Sequence, residues 1–202
     1  MKQSPKLPAE RRRTQLINAA MKLIARKGYV GATTEIIARE AGLTKGALYF
    51  HFGNKEDIFV EVVKNLGEKH AEHVIRPLLE NKNPSKGLEE MITAAIELVE
   101  KRKYFGLEFW QQASRVKRIN SYMDYQHKRI ETALVNYLKK YYGMKKRESE
   151  SLYLILHTLF DGIVIRHQCC HSCVDFERLK KDVFKMIKLY LHGRLKKEHE
   201  IK

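Results

Sequence analysis

Apolar residues recur at helical spacing along almost the whole chain, and sustained alternation of apolar and polar residues is absent. Leu16, Ile17, Ala20, Leu23 and Ile24 share one face of a helix, as do Ile58, Phe59, Val62, Val63 and Leu66. The fold is therefore expected to be all-α. The breaks in that pattern come at Gly28, Gly31, Gly42, Gly53, the NKNPSKG segment around Pro84, Gly143, and the polar, cysteine-bearing stretch before Asp175. They divide the chain into short helices first and long ones afterwards. With 202 residues it can bury a sizeable core without staples.

Within the first part, a helix from about Ala9 to Lys27 ends at Gly28, and Thr33 or Thr34 can cap a short helix carrying Ile36, Ile37, Ala38 and Ala41. Gly42 supplies the backbone freedom of a tight turn. Thr44 can then cap a further helix, too short to stand alone, that must pack through Leu48 and Phe52. Asn54 can cap a longer one, with Asp57 placed in its first turn to suit the helix dipole. Helix, short helix, turn and short helix in that order make a helix-turn-helix pattern.

The stretch TKGALYFHFGNKE, 44–56, packs Tyr49, Phe50, His51 and Phe52 in a row. On a helix, Leu48 and Phe52 lie four residues apart on one face, while Tyr49 and His51 point elsewhere. Leu48 and Phe52 thus belong to a small core, and Lys45, Tyr49 and His51 to surfaces that a DNA groove and its phosphates can meet. Gly46 and Ala47 keep the helix slim. Phe50 fits either side, and on spacing alone Tyr49 and His51 read equally well as ordinary exposed residues. Charge points to a polyanion: 39 Lys and Arg against 24 Asp and Glu give +15. Residues 1–55 hold eleven basic and three acidic side chains, a net +8, so the polyanion site is expected there.

The segment TTEIIAREAGLTKGALYFHFGNKEDIF, 33–59, resembles the DNA-binding signature of the TetR family of bacterial transcriptional regulators. Leu43, Thr44 and Phe59 stand where valine, serine and leucine are usual, all mild departures. The resemblance implies about nine helices, with a three-helix DNA-binding domain, residues 1–55, and a larger helical ligand-binding and dimerisation domain, residues 56–202. It assigns phosphate contacts to Thr33, Thr34 and Lys55, backbone contacts to Tyr49 and His51, and the groove-facing positions to Thr44, Lys45 and Ala47; Gly46, which keeps the helix slim between them, completes the candidate DNA-binding set. Base reading rests on few donors, since Lys45 is the one long donor in the recognition helix. Arg11, Arg12 and Arg13 can form an N-terminal arm over the backbone or minor groove.

Farther along, Phe105, Phe109, Trp110, Tyr122 and Tyr125, with His157 and Asp161, are candidates for an apolar ligand pocket holding a few polar groups; ordinary core aromatics are the plainer reading. The LFDGIVI run resembles the family's penultimate helix, which pairs with the last helix across a two-fold axis. Leu152, Leu156, Leu159, Ile163, Val183, Ile187 and Tyr190 are the candidate dimer residues. RHQCCHSC, 166–173, contains one C-x-x-C beside two histidines, but no second ligand pair follows at a recognised spacing. Its cysteines are expected to be thiols in a reducing compartment.

No run approaches the ~18 apolar residues of a membrane span, and no secretory segment is evident, so a cytoplasmic location is expected. The leading expectation is a ligand-responsive regulator: a homodimeric repressor that binds a palindromic operator, is released by a small, largely apolar or aromatic effector, and carries no cofactor, metal or catalytic apparatus. A metal- or redox-sensing regulator using Cys169, Cys170 and Cys173 is a second reading, and a nonspecific architectural DNA-binding protein a third.

Overall fold

The computed structural model describes residues 8–101, 107–170 and 172–200, apart from the side chains of residues 101, 107–110 and 194–200. Among the described residues every regular element is a helix. In chain order these are α1 (Ala9–Gly31), α2 (Thr34–Glu40), α3 (Lys45–His51), α4 (Lys55–Glu80), α5 (Pro84–Lys101), α6 (Leu107–Ser114), α7 (Lys117–Tyr142), α8 (Lys146–Cys169) and α9 (Phe176–Glu200). The all-α expectation holds. The chain forms two compact units, one of Met1–Gly67 with Tyr104–Met123, the other of Glu68–Lys103 with Asp124–Lys202.

Those limits differ from a cut after residue 55. The reason lies in α4, whose first turns bury Ile58, Phe59, Val62 and Val63 in one cluster with Leu16, Ala20 and Leu23 of α1. Ile37 and Ala38 of α2, Leu48 and Phe52 join that cluster, as do Ala113, Val116 and Ile119. The start of α4 therefore belongs to the first unit's core, with α6 packed against α1. Polar caps set the helix starts. Thr33 Oγ1 accepts from the Ile36 amide at 3.4 Å, Thr44 Oγ1 from Ala47 at 3.1 Å, and Asn54 Oδ1 from Asp57 at 2.9 Å. At Gly28 the backbone leaves helical geometry with φ 71°, and a short turn carries α1 on to Gly31. Gly42, φ 67°, ends α2 in the left-handed region, and the Leu43 amide returns to the Ala38 carbonyl at 2.9 Å.

The second unit packs α5 against α8 and α9. Its core joins Ile92 and Ile96 to Leu134 and Leu138 of α7, Leu152, Leu156 and Ile163 of α8, and Val183 and Ile187 of α9. Five of the seven candidate dimer residues, Leu152, Leu156, Ile163, Val183 and Ile187, are thus taken up by the subunit's own core, and Leu159 packs against it. Tyr190 alone among the seven is well exposed. Among the described residues, the large apolar side chains left exposed on these two helices are Leu154, Ile155 and Ile165 on α8 with Met186, Leu189 and Tyr190 on α9. An apolar stripe at helical spacing serves a subunit's own core or a partner equally well, and here burial gives five of the seven to the core.

Between α8 and α9 the thiol expectation is also corrected: Cys170 and Cys173 are joined by a disulfide, and Cys169 is free and exposed. The turn leaves their Cα atoms 5.4 Å apart, inside the range a disulfide can bridge. Asp175 then starts α9 by accepting from the Arg178 amide at 3.0 Å.

Candidate nucleic-acid interface

Seven residues make α3, too few to hold a helix in water without tertiary support. Support comes from one side. Leu48 is fully buried and Phe52, extended at φ −141° just past the last turn, is nearly so, while the Arg13 guanidinium lies 5.1 Å from the Phe52 ring centre. Burying two such side chains contributes about 1.5–3 kcal/mol each. The opposite side is open: Lys45, Gly46, Tyr49 and Phe50 are exposed, Phe50 by 82%. A side chain at Gly46 would meet nothing closer than Thr44 Oγ1 at 3.9 Å, so the backbone there is free to approach another surface.

Thr34, at the first position of α2, is buried, and its Oγ1 lies 3.4 Å from the Tyr49 hydroxyl. That contact fixes the ring of Tyr49 at the junction of α2 and α3. Thr33 and Thr44 serve as caps beside it, and Ala47 is half-buried on α3. His51 is half-buried at the end of α3, edge-on to Phe50 at 5.2 Å. Lys55 donates to the Val30 carbonyl at 3.2 Å, with its ammonium 4.3 Å from the Tyr29 ring centre. Tyr29 is pushed above its ordinary pKa by burial and by the Glu56 carboxylate. Eight of the nine candidate DNA residues thus gather on α2, α3 and their caps, and Lys55 opens α4. The sequence reading passed over Glu35, which pairs with Lys45, and left open which way Phe50 faces.

Four of the seven candidate ligand residues have described side chains, and among these His157 and Asp161 are in contact. Phe105 lies outside the described residues, and the side chains of Phe109 and Trp110 do too, although α6 carries both. Tyr122, in the first unit, donates to the Lys64 carbonyl at 2.7 Å and rests against Gly67. Tyr125, His157 and Asp161 belong to the second unit. Tyr125 is exposed with the Arg129 guanidinium 5.8 Å from its ring centre, and His157 Nδ1 lies 3.2 Å from an Asp161 carboxylate oxygen. His127, not singled out by sequence, stacks edge-on against His157 at 4.4 Å. Two open grooves, of ≈450 Å³ along Glu72, Arg76 and Arg129 and ≈490 Å³ along Arg13, Asp57 and Arg118, take none of the seven. Among the described residues no group of three or more His, Cys, Asp and Glu could hold a metal ion, and no helix is long and apolar enough to cross a membrane.

A short helix gripped from behind by Leu48 and Phe52, offering lysine, tyrosine and phenylalanine outward after a glycine turn, defines a helix-turn-helix DNA-binding protein. Residues 16–62 match the family described as bacterial regulatory proteins, tetR family. The chain is 30% identical over 128 residues to the biofilm operon icaADBC HTH-type negative transcriptional regulator IcaR of Staphylococcus epidermidis, covering 63% of this chain and 68% of that one. A match at 40% identity to the HTH-type transcriptional regulator HbdR of Aromatoleum sp. covers 37% of this chain and only 32% of that protein. In fold, the chain is similar to a transcriptional regulator from Pseudomonas aeruginosa PAO1, with TM-score 0.76, 19% identity, and 93% and 94% of the two chains covered. It is also similar to the regulator FadR of Bacillus subtilis in complex with stearoyl-CoA, with TM-score 0.67, 21% identity, and 86% and 96% covered. The chain belongs to the tetR family of bacterial regulatory proteins and is a DNA-binding transcriptional regulator.

Proposed function

We propose that the protein is a homodimeric repressor, acting in the cytoplasm by binding and release without catalysis, that holds a palindromic operator through two copies of α3. The observation that carries this reading is the division of α3 into a buried Leu48 and an exposed Lys45, Tyr49 and Phe50. Thr33, Thr34, Thr44, Tyr49, His51 and Lys55 supply groups suited to phosphate oxygens. Lys45 is the candidate donor to guanine, and Phe50 offers an apolar face to a thymine methyl. Repression is supported by the likeness to IcaR, a negative regulator.

The partner surface we assign to Leu154, Ile155 and Ile165 of α8 with Met186, Leu189 and Tyr190 of α9. Thr158 and Gly162 continue the α8 stripe, and side chains at Gly162 or Gly193 would meet nothing within 4 Å, which suits close approach of a second helix pair. A two-fold axis through such a face puts the same stripe on both sides.

The effector we infer to be small and largely apolar or aromatic, in keeping with the aromatic Phe109 and Trp110 of α6 and with the acyl chain of the stearoyl-CoA bound by FadR. Release requires that the effector prefer the state that does not fit the operator; moving the population from 1:99 to 99:1 takes roughly 5.5 kcal/mol of differential affinity. A second reading, redox response, is favoured by the Cys170–Cys173 disulfide at the turn into α9.

Selection of bound duplexes from random DNA, followed by anisotropy titration, tests the proposal. A palindromic consensus bound far more tightly than bulk DNA is expected, weakening steeply with salt. Equal affinity for all sequences would instead mark a nonspecific architectural protein. Acyl thioesters and aromatic acids, screened by thermal shift and by Trp110 fluorescence, should include one that dissociates the complex. Release by thiol reductant alone would favour the redox reading.

A further inference from the structure

Only three acidic side chains occur among the first 55 residues, and one of them, Glu35, sits inside the DNA-facing surface. It is the second residue of α2. Its carboxylate accepts a hydrogen bond and forms an ion pair with the ammonium of Lys45, the first residue of α3. Thr34 Oγ1 donates to its other oxygen at 3.3 Å and lies 3.4 Å from the Tyr49 hydroxyl. The Lys45 ammonium in turn is 5.9 Å from the Tyr49 ring centre. Glu35 is thereby wired to three of the groups assigned to DNA.

A carboxylate in that position is unfavourable for any phosphate backbone, because like charges repel and because it neutralises the lysine that would otherwise displace a counterion. Both partners are about half exposed, so the pair is weak and exchangeable, as surface ion pairs are. The lone carboxyl is nevertheless held well below its ordinary range, at about 2, chiefly by the Lys45 hydrogen bond, so it stays ionised throughout the physiological range. We propose that Glu35 is an internal counter-ion of the DNA-facing surface, an autoinhibitory contact that competes with DNA for Lys45 and so lowers the affinity and the salt dependence of α3 on any duplex.

The argument rests on the DNA-binding reading of α3. On random sequence Lys45 meets single phosphates, each competing with a carboxylate already in place. At the operator it meets a guanine edge, whose O6 and N7 accept together. On either duplex the ion pair must be given up before Lys45 engages, so Glu35 lowers both affinities by the same factor.

The test compares the wild-type chain with Glu35→Gln, Lys45→Gln and the double variant, each titrated by anisotropy against the selected operator and a random duplex over a range of salt. Matching circular dichroism and melting curves establish that the fold is retained, as expected for an exposed amide replacement. Glu35→Gln is expected to raise affinity for both duplexes by the same factor, roughly fivefold, and to steepen the slope of log affinity against log salt by about 0.9. In the Lys45→Gln background the same replacement should leave the slope unchanged and alter affinity far less. An unchanged slope and affinity in Glu35→Gln, a gain on one duplex only, or a full effect persisting without Lys45 would each overturn the proposal. Failure of the wild-type chain to bind DNA at all would overturn the reading of α3 instead, so the two are separable.

Discussion

Replacing Leu48 with alanine puts the assignment of the two faces of α3 at risk in one measurement. Leu48 has no exposed surface, and its isobutyl group is enclosed in the cluster shared with α1, α2 and α4. Removing three carbons forfeits about 2.4 kcal/mol at roughly 0.8 kcal/mol per methylene. If about half of the ~80 Å³ vacated stays empty, the cavity adds about 1 kcal/mol. A loss of about 3.4 kcal/mol is expected, and with a urea slope of ~1–3 kcal/mol/M the unfolding midpoint should fall by about 1–3 M with the slope unchanged. Far-ultraviolet circular dichroism reports it. The matched control is Phe50→Ala, which removes a larger but exposed side chain and should alter stability by less than about 0.5 kcal/mol. That control should weaken operator binding by roughly 1 kcal/mol, about fivefold. If Leu48→Ala left the midpoint in place while Phe50→Ala lowered it, the faces would be reversed and the interface misplaced.

Gly87, on α5, is a helical glycine at which alanine would ordinarily help by about 1 kcal/mol. Here a Cβ would come within 2.5 Å of the Tyr137 hydroxyl and 3.1 Å of the Pro77 carbonyl, so Gly87→Ala should instead destabilise the protein, with a lower Tm as the readout. Leu189→Glu or Leu154→Glu, on exposed parts of α9 and α8, should yield a folded monomer by sedimentation, whereas Ile187→Glu should unfold the unit that buries it; dimers surviving both exposed replacements would refute the assigned face. The His127 imidazole is pushed below its ordinary pKa by burial and by facing His157, against the opposing pull of Asp161 and Asp124. The unfolded chain therefore protonates first, so this contribution is intact above about pH 6.5 and is lost as pH falls through the folded-state value. Tm should drop more steeply between about pH 7 and 5 for the wild type than for His127→Gln, and parallel profiles would exclude this source.

The helical periods, the caps at Thr33, Thr44 and Asn54, and the turn at Gly42 were legible because each depends on residues within four or five positions. The split of the aromatic run was legible for the same reason: Leu48 and Phe52 are one turn apart. What spacing cannot convey is which neighbour a stripe meets. Leu152, Leu156 and Val183 are apolar at helical spacing whether they face their own subunit or a partner, and the structure gives them to the core. The Glu35–Lys45 pair joins residues ten apart across a turn, so no period exposes it. Likewise Cys170 and Cys173 share a C-x-x-C spacing with thiol pairs, metal ligands and disulfides alike, and only the turn geometry separates these.

Because α3 is anchored through Leu48 and Phe52 while Lys45, Gly46, Tyr49 and Phe50 stand clear, the positions that would read DNA are almost disjoint from those that keep the helix in place. Substitutions at the outward positions meet little steric resistance, and at Gly46 an added Cβ meets nothing closer than Thr44 Oγ1 at 3.9 Å. Retargeting to a new operator is then a matter of a few codons, open to selection one step at a time without an intervening unfolded variant. Tyr49 is the exception, since its hydroxyl also meets the buried Thr34; operator preference should be slower to drift there than at its neighbours.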